Sequence, residues 1–399
     1  MKTKFLVLII MIFVFLGISH SQSFAQRDTE FQEFLKQRNQ EFYQYKKKLE
    51  EEFKEYKRIV EEEFKRYKEE IKKVWGTAEI TTRKKWVEYD EGYKIRKVVD
   101  FSKGEVEISV ITQNPKEARK KIVNTLKNLL VEDKRTAFKR DVLAHRIESR
   151  LKKVIKNVQT GKIDRTKILT PIFFNKPPTE TQIERKVKFI LKVAKKEVKP
   201  AKQKGEEVFT IKFKLPPNYL LKKAKQYEPL VNKYSRKNAL PPALVFAIIH
   251  TESSFNPLAK SPIPAYGLMQ IVPQTAGKDA TRVLYGRPML LAPSYLYNSK
   301  NNIVIGTTYF NLLYYKYLKG IKNPLSRLYC AIAAYNTGVG NVAYALTGSY
   351  SLRKLIKKVN SMTPSQVFQA LESSVPQETK NYLKRVTNRI KLYKALFGA

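Results

Sequence analysis

The sequence predicts an α+β protein of several domains: a long N-terminal helix, a small mixed α+β domain, and an all-α domain at the C-terminus. Three observations carry this expectation. A chain of 399 residues exceeds one ordinary domain, and its 43% hydrophobic content can fill more than one core. An eleven-residue apolar repeat without Pro or Gly runs from Asp28 to Val74. Alternating apolar and polar residues then read as strands around 95–110 and 207–213, whereas 241–252 reads as a helix apolar nearly all round.

Residues 1–25 carry Lys2 and Lys4, an apolar run from Phe5 to Ile18 and a small-x-small ending at Ser23-Phe-Ala25. This pattern predicts a cleaved export leader. The run is shorter than the ~20 residues that span a bilayer, and an uncleaved N-terminal anchor is the alternative. The repeat of residues 26–74 follows. Its units are Glu41-Phe42-Tyr-Gln-Tyr45-Lys46, Glu52-Phe53-Lys-Glu-Tyr56-Lys57 and Glu63-Phe64-Lys-Arg-Tyr67-Lys68, completed by Leu49, Val60 and Ile71. A period of eleven is about 3.67 residues per turn, so the seam runs almost straight along a helix of about 70 Å. Two readings stay open: a coiled-coil arm that makes a homo-oligomer or spaces the protein from a surface, and a charged helix folded back on its own chain.

Trp75-Gly76 closes that helix and opens a domain over 75–215. Lys84 to Tyr93 and Ile95 to Asp100 lead to a turn at Ser102-Lys-Gly104, and Val106, Ile108 and Val110 alternate as a half-buried strand does. Helical patterns follow at Ala118–Leu130 and Asp141–Val158, and Glu207–Phe213 closes the region as a strand. Nothing here gathers catalytic groups, so a positioning or binding role is expected. Pro216-Pro-Asn-Tyr219 marks the start of the last domain, 216–399.

That domain contains the stretch that asks for chemistry. Pro241 and Pro242 suit a first helical turn, and Leu244 to Thr251 are almost uniformly apolar before Glu252. Burial and the negative end of the helix both disfavour an ionised carboxylate there. Glu252 is therefore expected to keep its proton near neutral pH, as a general acid must. A lone Glu would more often cap a turn or pair with a lysine. Three further motifs accompany it: Ala265-Tyr-Gly-Leu-Met-Gln-Ile-Val-Pro273, Ala333-Ala-Tyr-Asn-Thr-Gly338 and Glu378-Thr-Lys-Asn-Tyr382.

In this order the four motifs resemble the family 1 lytic transglycosylases, relatives of goose-type lysozyme that cut peptidoglycan glycan strands. Thr275-Ala-Gly-Lys-Asp279 and Asn323-Pro-Leu-Ser-Arg327 point to one membrane-bound branch, and Trp75-Gly76, Lys85-Trp86 and Tyr89-Asp90 resemble that branch's N-terminal domain. The resemblance implies a lysozyme-like C-terminal fold with Glu252 as the catalytic acid and base. It implies substrate contacts for Ser253, Gly267, Leu268, Met269, Gln270, Tyr335 and Asn336, with Tyr382 orienting Glu252. Gly267 would let the backbone approach the glycan, and Met269 would offer an apolar wall; Leu268, though it falls in the motif, reads better as core. Ile263-Pro264 stands where relatives often have a glycine-containing turn, which implies a stiffer cleft loop. The branch carries a lipid-modified cysteine after its leader; this chain has none near residue 25. A periplasmic or peripheral envelope protein is expected instead.

Two-carboxylate glycosidases need a second Asp or Glu across the sugar ring, and none lies between Ser253 and Gln274. That favours assistance from the substrate's own acetamido group or ring oxygen. The resemblance implies that the muramic C6 hydroxyl then attacks, leaving a 1,6-anhydro ring; attack by water, a muramidase reaction, stays open, as does an idle wall-binding scaffold. A net charge of +41 predicts attraction to an anionic wall or membrane surface. The basic residues form no single arm and no nucleic-acid motif appears, so no nucleic-acid partner is expected. Cys330 reads as a core residue, and His145 and His250 stand too far from any Cys or second His to predict a metal; no cofactor is expected.

Overall fold

The computed structural model describes residues 50–261 and 264–398, together with scattered positions between 32 and 48. The leader at 1–25 and Ile263 lie outside the described residues, as do most residues of the first repeats. The chain divides into two compact units, Met1–Arg58 and Ile59–Ala399. The first is helical over 50–58. The described residues include no helix long and apolar enough to cross a membrane.

The second unit begins as helix, 59–75. Its repeat residues Val60, Phe64 and Ile71 are buried, and Ile71 and Tyr67 pack with Val87, Tyr89 and Val98 of the following sheet. Polar pairs flank the seam: Tyr93 Oη donates to Glu70 at 2.7 Å, and Arg150 reaches Glu63 at 2.9 Å. For residues 67–75, then, the seam is covered by the chain's own sheet.

That sheet is antiparallel and five-stranded. β1 (Lys85–Asp90), β2 (Ile95–Asp100) and β3 (Glu105–Thr112) form a meander, with Val99 opposite Val106. β4 (Val158–Gln159) lies apart; β5 (Lys195–Pro200) and β6 (Glu207–Lys214) complete the order β1-β2-β3-β6-β5. The alternation of Val106, Ile108 and Val110 drives one face into the core, where all three are buried. The helices Pro115–Val131 and Glu180–Val193 cover it. Lys195–Pro200 escaped the sequence reading because it is lysine-rich and almost wholly exposed, the composition of a guarded edge strand.

The rest is helical. Tyr219–Lys237, Pro242–Ser253, Ser299–Asn311, Pro324–Thr337 and Gln377–Phe397 are its main elements, and the last packs along Pro242–Ser253. Phe246 stacks between these helices on Tyr393 and Phe397, at 5.3 and 4.6 Å. Cys330 is buried in this core, where burial pushes its thiol up to about 12.

Sheet and helical parts share a polar joint. Lys134, fully buried, donates to Asp164 at 2.7 Å, to Ser299 at 2.6 Å and to the Tyr297 carbonyl at 2.8 Å. β4 pairs in parallel with β7 (Leu290–Leu291). Lys260 pairs with Asp141 at 2.9 Å. Because every cation here meets an acceptor, the joint can be buried without stranded charge.

Candidate active site

Glu252 sits one residue from the end of Pro242–Ser253, a helix with no polar face: all eleven residues from Ala243 to Ser253 are buried. The chain then leaves sharply, with Ser254 at φ 50° and Phe255 at φ 61°. Non-glycine residues rarely hold that conformation, and two in succession are costly. The turn stops the helix at the acid and sends the chain away from it.

The carboxyl opens into a cleft of about 680 Å³ lined by Gln270, Val272, Tyr335, Asn336, Glu378 and the segment Thr82–Lys84. Glu252 itself is only 5% exposed. Burial pushes its pKa up to about 7; Tyr382 and Arg83 pull it down, and Glu378 pushes it further up. Half of such groups are protonated near neutral pH, as the helix pattern predicted. The Tyr382 hydroxyl is buried outside regular hydrogen-bond geometry, yet close enough to affect the carboxyl. Arg389 Nη1 donates to Thr251 Oγ1 at 2.8 Å, fixing the residue before the acid. His250 contacts Tyr393 Oη at 3.1 Å, and burial lowers its pKa to about 3, so it is a neutral neighbour.

The second motif supplies one wall through one side chain. Gln270, at φ 48°, donates to the Gly267 carbonyl at 3.0 Å and leaves its own Oε1 buried and unpaired in the cleft. An amide oxygen so placed suits a hydroxyl or amide N–H of a ligand. The neighbouring expectations need correction. Leu268 and Met269 are buried beneath the cleft and do not line it; a Cβ on Gly306 would come within 2.4 Å of Met269 Sδ. Gly267, at φ 76°, is required because a Cβ would meet Asn302 at 2.3 Å, so it makes room for protein and not for glycan. Ser253 also turns inward: its hydroxyl donates to the Leu268 carbonyl at 2.8 Å, tying the acid helix to the Gln270 turn.

The opposite wall comes from Tyr335 and Asn336 at the end of Pro324–Thr337. Tyr335 Oη donates to the Met269 carbonyl at 2.9 Å, and Asn336 Oδ1 accepts from Thr379 at 2.7 Å. The motifs at 265–273, 333–338 and 378–382 are thereby bonded to one another around Glu252.

Three contributions were not expected of the site from the sequence. Asn302 gives both amide hydrogens to the Tyr266 and Leu296 carbonyls at 2.8 Å and accepts from Met269 N at 2.8 Å, and so holds the Gln270 turn. Arg83 and Lys84 arrive from the sheet. Glu378, read only as part of a motif, is a second carboxylate in the cleft, but Arg83 holds it at 2.9 Å.

A family model described as "Transglycosylase SLT domain" matches residues 229–358, and one described as "Membrane-bound lytic murein transglycosylase C, N-terminal domain" matches residues 45–142. A protein of that name from Serratia proteamaculans is 32% identical over 81% of this chain and 87% of its own length. Its namesake from Pectobacterium atrosepticum is 30% identical over the same shares. The chain belongs to the membrane-bound lytic murein transglycosylase C family. Among solved structures, the 70 kDa soluble lytic transglycosylase of Escherichia coli is 28% identical over 45% of this chain and 26% of its own, with a TM-score of 0.33. In family terms, the SLT match holds Glu252, Gln270, Tyr335 and Asn336, the N-terminal match holds Arg83 and Lys84, and Glu378 and Tyr382 follow both.

Proposed function

We propose that this lytic murein transglycosylase cleaves the β-1,4 bond between N-acetylmuramic acid and N-acetylglucosamine in peptidoglycan, with Glu252 as its single acid and base. The observation that carries the reading is one buried carboxyl, poised near neutral pH, at the floor of a cleft whose other carboxylate is already paired. Glu252 gives its proton to the glycosidic oxygen as the C1–O bond breaks. The 2-acetamido group or the ring oxygen of the muramic residue stabilises the positive charge on C1. Glu252, now a carboxylate, takes the proton of the C6 hydroxyl as that oxygen bonds to C1 and closes the 1,6-anhydro ring. Gln270 and Asn336 hold sugar substituents, and Tyr382 orients the acid from behind.

In this reading residues 216–399 are the catalytic domain and 75–215 a positioning domain. The name of the relatives, membrane-bound, supports a place at the cell envelope, where glycan strands are the partner and the net charge of +41 favours an anionic surface. The seam upstream of residue 59 supports a coiled-coil arm, testable by sedimentation of chains with and without residues 26–58.

The test is mass spectrometry of soluble products released from purified sacculi, with Glu252→Gln alongside. Anhydro-muropeptides from the wild type only are expected. Reducing ends would make the protein a muramidase. Binding without product from either would leave a scaffold.

A further inference from the structure

Thr82, Arg83 and Lys84 lead into β1 and are bonded to the sheet side, yet they form one lip of the cleft. The segment is fixed on both sides. Within the sheet, Thr82 N donates to the Lys85 carbonyl at 2.8 Å, and the Lys84 carbonyl accepts from Phe101 N at 2.8 Å. Across the joint, the Thr82 carbonyl accepts from Lys260 N at 3.4 Å, and Asn256 Nδ2 reaches the Arg83 carbonyl at 3.4 Å. Asn256 lies four residues beyond the acid, so the lip is pinned to the turn that ends the Glu252 helix.

Held there, the Arg83 guanidinium lies between two carboxylates. Nη2 is 2.9 Å from Glu378 Oε1, and Nη1 is 3.9 Å from Glu252 Oε2. The first is a full ion pair and the second stops short of hydrogen-bond contact. The asymmetry has a chemical use. A guanidinium in full contact would hold Glu252 ionised at neutral pH and spoil it as an acid. With no cation nearby, the carboxylate formed after proton transfer would be buried and uncompensated.

We propose that Arg83 is a positioning residue for the reaction at Glu252: it steadies the carboxylate that forms once the proton has been given, while Glu378 holds it back beforehand. The proposal rests on the acid and base role of Glu252. It also gives the sheet a share in the chemistry, because the residue that conditions the acid is not on the catalytic helices. The other groups around Glu252 are Lys84 on the same lip, Tyr335 on the opposite wall and Tyr382 on the final helix; Arg385 and Arg389 of that helix, and His250, stand around Lys84. Arg83 and Lys84 favour its charged form and Glu378 opposes it.

The test uses the full chain, soluble uncrosslinked peptidoglycan strands and the pH profile of anhydro-product release. In the wild type kcat/KM falls as pH rises through the pKa of Glu252. In Arg83→Gln a charge that lowers that pKa is gone, so the limb moves up by about one pH unit and kcat drops about tenfold, with KM changed less. Arg83→Lys restores most of both. Glu378→Gln removes the competitor and a repelling charge, and its limb moves down. An Arg83→Gln limb at the wild-type position overturns the proposal; so does a Glu378→Gln enzyme dead at every pH, which would make Glu378 a catalytic carboxylate itself. If Arg83→Gln fails to fold, by its near-UV dichroism, the opposite shift in Glu378→Gln decides. Product from Glu252→Gln overturns the acid reading and this proposal together, whereas an inactive Glu252→Gln with unmoved limbs overturns only the role of Arg83.

Discussion

Asp164, half-buried in the joint between sheet and helices with 29% of its side chain exposed, and Glu252, almost wholly buried at the cleft, share one influence: for each, burial is the largest and pushes the pKa up. Asp164 nevertheless ends near 2 and Glu252 near 7. The difference lies in the donors. Asp164 accepts from Lys134 at 2.7 Å, from Ser299 N at 2.8 Å, from Thr166 N at 3.0 Å and from the Thr166 hydroxyl. Glu252 has Tyr382 outside hydrogen-bond geometry and an arginine held off at 3.9 Å. A structural carboxylate is given every donor that fits; the catalytic one is given just enough to stay convertible. Burial alone therefore does not mark a catalytic acid, and burial with withheld partners does.

The largest expected consequence is chemical. Glu252→Gln should lower anhydro-product release by about a thousandfold or more, since proton transfer by a placed side chain contributes ~10²–10⁴. Asp164→Ala should be the mirror image, with chemistry intact and stability lost. It strands Lys134, whose side chain is 0% exposed, and breaking a buried pair costs about 3–5 kcal/mol. Urea unfolding measures it, and Lys134→Met added to Asp164→Ala should recover much of the loss. If Asp164→Ala costs nothing, the contrast in donors is not what holds the joint together.

The two carboxylates should also impose opposite pH dependences. The folded pKa of Asp164 lies below its ordinary value of 3.8, so its contribution is complete above that value and is lost as pH falls through 2. The folded pKa of Glu252 lies above its ordinary 4.5, so its contribution is complete below 4.5 and is lost as pH rises through 7. Above pH 7 the wild type thus carries a buried charge that Glu252→Gln does not. The variant should be more stable by about 3 kcal/mol at pH 8.5, with the gap closing toward pH 5. Thermal melts across that range check it. An inactive variant no more stable than the wild type at high pH would mean that Glu252 is better solvated than its burial implies.

What the sequence revealed of this site was what is local. The acid helix shows in the apolar run from Ala243 to Ile249, and the raised pKa follows from placing a carboxyl just past the end of such a run. The strands at 95–110 and 207–213 show in their alternation. Arg83 and Glu378 are 295 residues apart and meet only because the sheet docks on the helices; no periodicity carries that. Asn302 sits inside a helix with nothing around it to single it out. In the motif at 265–273 the residues were legible but their directions were not. Positive φ at Gly267 and again at Gln270 turns Leu268 and Met269 down and leaves Gln270 facing the cleft. The eleven-residue seam was equally legible, but what covers it over 67–75 depends on Tyr89 and Val98, residues of strands not yet paired when the repeat is read.

Ser253 is the smallest and sharpest test, because it adjoins the acid in sequence but faces away from the cleft. Its hydroxyl is 0% exposed and bridges the Ile249 carbonyl at 3.0 Å and the Leu268 carbonyl at 2.8 Å. Replacing it with alanine leaves the Leu268 carbonyl without that donor in a buried place, a loss of about 1–2 kcal/mol. A substrate contact would instead show as a higher KM with stability unchanged. Ser253→Ala is therefore expected to melt lower, to keep the wild-type KM and to release the same anhydro product, its kcat falling only as far as the Gln270 turn loosens. The contrast between Asp164 and Glu252 then extends to hydroxyls: beside a carboxyl left under-partnered for chemistry stands a serine whose hydrogen bonds all serve the scaffold.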